Sequence, residues 1–195
     1  CTDLVKVGDL VYLACGEAGM VCLDVSDPAS PTYLYSFTLP EGPAVSCARL
    51  DNALYVGAGN EVFIYDLTDP RAVPSRRGSL GAGSATPVIR VYVDGRRIYC
   101  IYRSGRLVAS SGAGGGGAFS PSLLGAWSGP NEATDLVVQN GIGYCTYNGA
   151  GLRIVDLRDP TAPELLWTDG GSAALGVAVR GTTLACIYGN RRYRT

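Results

Sequence analysis

The sequence contains no histidine, one lysine (Lys6) and one methionine, and only 17% of its residues are charged. The missing histidine excludes Ser-His-Asp and Cys-His catalysis, a histidine general base and histidine-ligated metals together. A net charge of −1 supplies no basic field for phosphates, so nucleic acid is not an expected partner. No apolar run approaches the roughly 18 residues of a membrane helix, and no signal peptide is visible. The first residue is Cys1, which reads as the start of a mature form or of a piece of something longer. A lipid-anchored cysteine is disfavoured because no apolar segment precedes it. Apart from Lys6 the basic residues are all arginine. With 27 glycines, this reads as compositional bias, although Arg76-Arg77, Arg96-Arg97 and Arg191-Arg192 are candidate anion spots.

What is present is a repeat. The phrase VCLDVSDPASP (Val21 to Pro31) returns as FIYDLTDPRAVP (Phe63 to Pro74) and as RIVDLRDPTAP (Arg153 to Pro163). Its Asp-Pro pairs begin at Asp27, Asp69 and Asp159, with steps of 42 and 90 residues, the second twice a single period. The missing copy falls near Gly114 to Gly117, a run read as a flexible loop that replaces the Asp-Pro pair. Pro121 keeps its place beside Pro31, Pro74 and Pro163.

Upstream of each copy lie two short alternating segments joined by a turn signal: Gly8-Asp9, Asp51-Asn52, Asp94-Gly95, Asn140-Gly141 and Arg180-Gly181. A third strand runs into the phrase and a fourth follows its second proline. Asp-Pro ends the third strand, because proline has no N–H for the ladder and the Asp carboxylate can cap the turn's own amides. Four strands in 40 to 47 residues without a 3.6-residue period indicate an all-β chain built as a β-propeller. The blades are placed at 2–44, 45–87, 88–133 and 134–174, with a half blade at 175–195. The well-patterned fifth start favours an arc of a larger ring over a closed four-blade ring with an appendage.

The segments LVYLACGEAGMVCLDVSDPASP and GLRIVDLRDPTAP resemble the LVIVD repeat of bacterial and archaeal surface proteins. The resemblance covers units one, two and four well, unit three weakly and the first half of unit five. It implies a propeller and a secreted or cell-surface location, and it transfers no catalytic residue.

Cys100, Cys145 and Cys186 take a second-strand position filled by Leu13 and Val56 in the first two units, so they read as buried free thiols. Cys15 and Cys22 sit diagonally across a hairpin at about 7–8 Å, too far for easy bridging. No metal, disulfide or cofactor is therefore expected. Tyr102, Tyr147 and Tyr188 each follow their cysteine by two residues, near the turns between second and third strands. With Arg103, Asn148, Asn190, Glu17, Asn60, Glu41 and Glu132 they form the candidate ligand face, suited to a protein or glycan surface. The competing reading packs the tyrosines between blades. Asp3 and Asp135 begin equivalent inner strands; they read as channel carboxylates or as turn caps.

The reading is a noncatalytic, exported binding or scaffold module, with the weak ligand set Asp3, Glu17, Tyr102, Arg103, Asp135, Tyr147, Asn148 and Tyr188. The missing blades of the same chain are its nearest expected partners. The alternatives are a fragment of a propeller hydrolase or lyase with its site over the channel, and a purely structural segment of a large surface protein.

Overall fold

The computed structural model describes residues 1–81, 84–112 and 122–189; the Gly114 to Gly117 run, Pro121, Asn190 and Arg191-Arg192 lie outside them. The described residues contain eighteen strands and no helix. The first sheet is β1 (Asp3–Val7), β2 (Leu10–Ala14), β3 (Met20–Asp24) and β4 (Thr32–Phe37). The second is β5 (Ala44–Leu50), β6 (Ala53–Ala58), β7 (Glu61–Asp66) and β8 (Arg76–Gly81). The third is β9 (Val88–Asp94), β10 (Arg97–Tyr102), β11 (Arg106–Ser111) and β12 (Leu123–Ser128). The fourth is β13 (Ala133–Gln139), β14 (Ile142–Tyr147), β15 (Gly151–Asp156) and β16 (Glu164–Thr168), and the fifth is β17 (Ala174–Arg180) with β18 (Thr183–Tyr188). Strands follow one another in sheet order, as antiparallel meanders.

The turns between first and second strands place a positive φ at their first residue: Gly8 (59°), Asp51 (51°), Gly95 (60°), Asn140 (54°) and Gly181 (59°). Glycine, Asn and Asp tolerate that conformation best. In the third and fifth sheets this puts the turns at Gly95-Arg96 and Gly181-Thr182, one residue later than the dipeptide signals suggest.

The repeated phrase builds the same corner three times. The amides of Ser26, Thr68 and Arg158 donate to the carboxylates of Asp24, Asp66 and Asp156 at 2.9, 2.8 and 3.0 Å. Two residues past each second aspartate, Ala29, Arg71 and Thr161 donate to Asp27, Asp69 and Asp159 at 2.9, 3.2 and 2.9 Å. A backbone bond then closes each turn, from Ser30, Ala72 and Ala162 to the same aspartates' carbonyls. The residue between the two caps is tied down as well: Val25, Leu67 and Leu157 each donate at 2.7 Å to the turn joining the first two strands. In the third sheet Ser111 stands where Asp66 does, and its hydroxyl accepts from the Ser122 amide at 2.9 Å. Each fourth strand also carries a bulge near its start, just after this corner, a feature with no marker in the sequence pattern.

The described residues form two compact units, one holding Cys1–Val91 with Gly112 and the other holding Tyr92–Ser111 with the residues from Ser122. In the first unit one core joins Tyr12, Met20, Cys22 and Tyr35 of the first sheet to Leu54, Val56, Phe63 and Tyr65 of the second. The Tyr12 and Tyr35 hydroxyls both donate to the carbonyl of Pro70, at 2.8 and 2.7 Å, so one sheet's tyrosines cap the next sheet's Asp-Pro corner. In the second unit Gly125 does the equivalent work by being small: a Cβ there would collide with the carbonyl of the buried Pro160.

One expectation is corrected. Cys15 is disulfide-bonded, and its partner is Cys1, which crosses to the end of β2 because β1 and β2 pair from Asp3 to Ala14. Cys22, Cys47, Cys100, Cys145 and Cys186 are buried free thiols.

Acid should expose the corners' contribution. Hydrogen bonds hold three carboxyls down to about 2 from the ordinary 3.8: from the Ser26 amide for Asp24, from the Thr68 hydroxyl for Asp66 and from the Arg158 side chain for Asp156. Because the folded values are depressed, this stabilisation is complete above the unfolded-chain value and is lost as pH falls through about 2. The thermal midpoint followed by circular dichroism is expected to fall between about pH 4 and 2. Asp→Asn at all three positions should flatten that segment of the profile.

Candidate functional site

Asp3 opens the first strand, and the equivalent residues on the other inner strands are Ser46, Arg90, Asp135 and Gly176. In the first unit the Asp3 carboxylate accepts from the Ser46 hydroxyl at 2.6 Å and the Cys47 amide at 3.0 Å, and pairs with Arg90 at 3.1 Å. Ser46 in turn accepts from the Val91 amide at 3.0 Å. In the second unit Asp135 is buried and accepts from Leu136 and Val177 at 2.9 and 3.1 Å. The threonines beside these aspartates donate to the same neighbouring strands: Thr2 to the Val45 carbonyl at 2.8 Å and Thr134 to the Ala174 carbonyl at 2.7 Å. The recurring Thr-Asp pair is therefore a clamp between successive sheets, one hydroxyl donor and one carboxylate acceptor on the next inner strand. Both carboxylates also accept from the amide that follows them, Leu4 at 3.0 Å and Leu136 at 2.9 Å.

Tyr102 and Tyr147 lie in the interior, where the competing reading packs them. Tyr102 and Tyr147 are 0% exposed, so neither offers a ring to a ligand. The Tyr147 hydroxyl donates to the Gly105 carbonyl at 3.5 Å, and Tyr102 lies 3.7 Å from the Cys100 sulfur. Tyr188 is half-buried and donates to Asp169. The alternation that puts Cys and Tyr on one strand face put both toward the neighbouring sheet. Burial pushes the Cys100 and Cys145 thiols up to about 12, which leaves no thiolate for chemistry near neutral pH.

What remains exposed is a polar rim on the turns. Arg103 accepts the Glu132 amide at its carbonyl at 2.7 Å, and Glu132 (φ 61°) accepts from the Asn148 amide at its own carbonyl at 2.9 Å. The Asn148 side chain donates to the Glu132 carboxylate at 2.8 Å. One link and two turns thus bring Arg103, Glu132 and Asn148 together, all exposed. In the first unit Glu17 is exposed on the equivalent turn, where Gly16 and Ala44 exchange two backbone bonds of 3.0 Å. Glu41 is exposed there too, and the side chain of exposed Asn60 donates to the Ser84 carbonyl at 3.4 Å.

Three of the paired arginines serve local structure. Arg77 pairs with Asp66, and Arg76 lies 5.2 Å from the Phe63 ring centre. Arg97 donates to the carbonyls of Leu157 and Arg158 at 3.2 and 3.0 Å, and Arg158 pairs with Asp156. No group of three or more metal-ligating side chains occurs among the described residues, and no helix there is long and apolar enough to cross a membrane.

The sequence model of the LVIVD repeat matches residues 2–38 and 130–168, the first and fourth sheets. The chain carries LVIVD repeats. No curated protein matches it. Among solved structures it is similar to the computationally designed Ika8 protein, at 12% identity and a TM-score of 0.77, covering 97% of this chain and 56% of that one. It is also similar to the β-propeller domain of Cps50 (Swd1) from Myceliophteria thermophila, at 10% identity and a TM-score of 0.72, covering 94% of this chain and 65% of that one. A chain of a mitotic checkpoint complex matches at 18% identity and a TM-score of 0.71, over 96% of this chain and 56% of that one. This chain thus spans little more than half the length of the Ika8 protein. At these identities the likeness establishes the fold, a β-propeller.

Two measurements check the site's chemistry. Asp135→Ala should lower unfolding free energy by about 1–3 kcal/mol in a denaturant titration, because it strands the buried Val177 amide. Asp135→Asn, which keeps an acceptor, should cost less. Thiol titration should find the five free cysteines silent in the native protein and reactive in denaturant without reductant; reductant should raise the total to all seven.

Proposed function

We propose that the chain is a noncatalytic binding or scaffold module of an exported protein, and that it meets a protein or glycan surface through the turns between second and third strands. The carrying observation is the Arg103, Glu132 and Asn148 rim. There the bond from Asn148 to Glu132 ties two side chains together, and exposed Arg103 is joined to Glu132 through the backbone. Groups ordered before a partner arrives lose less entropy on binding, which favours recognition. The remaining candidates support the reading by their employment elsewhere: Asp3 and Asp135 clamp sheets, and Tyr102 and Tyr147 fill the interior. The Cys1–Cys15 disulfide supports an oxidising compartment, as a secreted or cell-surface location requires. The resemblance of its repeats to those of surface proteins points the same way.

The test compares the chain with an Arg103→Glu, Asn148→Ala double variant on a glycan array and against immobilised surface proteins. Binding is expected to weaken at least about tenfold, or about 1.4 kcal/mol, at an unchanged thermal midpoint. Binding that ignores both substitutions would move the site off this rim.

A further inference from the structure

The turns joining first and second strands lie at the end of each sheet opposite the polar rim, and there one junction departs from its counterpart. In the first unit Val7 and Leu10 flank the Gly8-Asp9 turn, are 7% and 3% exposed, and share a core with Leu67 of the second sheet. In the third sheet the flanking residues are Asp94 and Arg97, while Leu157 of the fourth sheet keeps the place of Leu67. The dry junction becomes a cleft of about 370 Å³, lined mainly by Asp94, Arg96, Arg97, Tyr99, Asn140 and Arg158. Fixing the corner does not require these charges. In the first unit the Pro70 carbonyl is met by the neutral phenols of Tyr12 and Tyr35. Here Arg97 donates to the carbonyls of Leu157 and Arg158 at 3.2 and 3.0 Å, neutral partners that leave its positive charge in a half-buried place. Holding a charge where neutral groups could serve costs stability.

The carboxylates around the cleft are already engaged. An Asp94 oxygen accepts from the Gly141 amide at 2.7 Å, Asp159 accepts from the amide and hydroxyl of Thr161, and Asp156 holds Arg158 through Nε and Nη2. That leaves the Nη1 side of Arg158 for a further acceptor. A Cβ at Gly141 would stand 2.9 Å from the Arg158 Cγ, so the glycine lets that arginine's stem lie against the turn. We propose that this cleft is an oxyanion site, which takes a phosphate, sulfate or carboxylate group among Arg96, Arg97 and Arg158. Three guanidinium groups line it against the single carboxylate of Asp94. Guanidinium N–H groups meet such oxygens with parallel, charge-assisted bonds. Arg96 sits on the turn itself and is exposed, so the anion enters from solvent on that side. The site lies away from the polar rim, so it holds or fails independently of the binding reading above.

The test titrates the full chain with sodium phosphate, sodium sulfate and sodium acetate, each against sodium chloride at matched ionic strength so that general screening cancels. The amide signals of Gly95, Arg96, Gly141 and Arg158 are followed by nuclear magnetic resonance. Saturable shifts centred on these two turns are expected with at least one of the three oxyanions and not with chloride. The probe that saturates at the lowest concentration assigns the group, tetrahedral or planar. Arg96→Ala with Arg158→Ala should weaken that binding at least about tenfold. Asp94→Val with Arg97→Leu, which rebuilds the pair that Val7 and Leu10 make in the first sheet, should abolish it without lowering the thermal midpoint in chloride. Shifts that rise without saturating, or that chloride reproduces, overturn the proposal. So does saturation that survives either pair of substitutions unchanged.

Discussion

A four-stranded antiparallel sheet of about forty residues with apolar side chains on both faces cannot dry either face by itself. That constraint organises the chain. Tyr12, Met20 and Cys22 have no interior of their own, and become buried because Leu54, Phe63 and Tyr65 of the next sheet lie against them. At β17 and β18 the same packing continues through Leu152, Ala174, Val177 and Cys186. Where the following sheet has no third strand among the described residues, Trp167 and Leu166 stand exposed.

Packing sheet on sheet leaves polar groups at each junction to satisfy, and the chain meets them with a small, repeated set of devices. Thr-Asp pairs supply one donor and one acceptor to the next inner strand. Asp-Pro corners cap their own amides, and the second of them offers the Pro70 carbonyl to the preceding sheet's tyrosines. An unpaired buried donor costs about 1–3 kcal/mol, so these bonds protect stability more than they add to it. The functional consequence is a division of labour. Carboxylates and phenols that looked available for chemistry are occupied in the frame, and Arg103, Glu132, Asn148 and Glu17 stay exposed on the turns.

The legible parts were those set by local covalent chemistry. Asp27-Pro28 and its copies had to end a strand, because proline lacks the ladder donor and aspartate reaches its own turn amides, and the structure has this corner three times. The strand alternation and the turn residues Gly8, Asp51 and Asn140 likewise depend only on near neighbours in sequence. Cys100, Cys145 and Cys186 were readable as core because aliphatic residues fill the same place in sister units. The bond between Cys1 and Cys15 had no such signal, since Cys1 precedes the first strand and lies outside the repeat.

By itself the sequence determined the repeat, its strands, its corners and hence a β-propeller, because each follows from φ preferences, missing donors and a two-residue side-chain period. Tertiary structure alone decided what the ambiguous side chains do. Alternation shows that Tyr102 and Tyr147 share a strand face with their cysteines, but whether that face meets water or another sheet depends on residues about forty positions away, such as Gly105 against Tyr147. The same holds for Asp3 and Asp135, whose partners Cys47 and Val177 belong to the next sheet. Long-range contacts assign burial, and burial decides which polar group becomes part of the frame and which stays exposed to water.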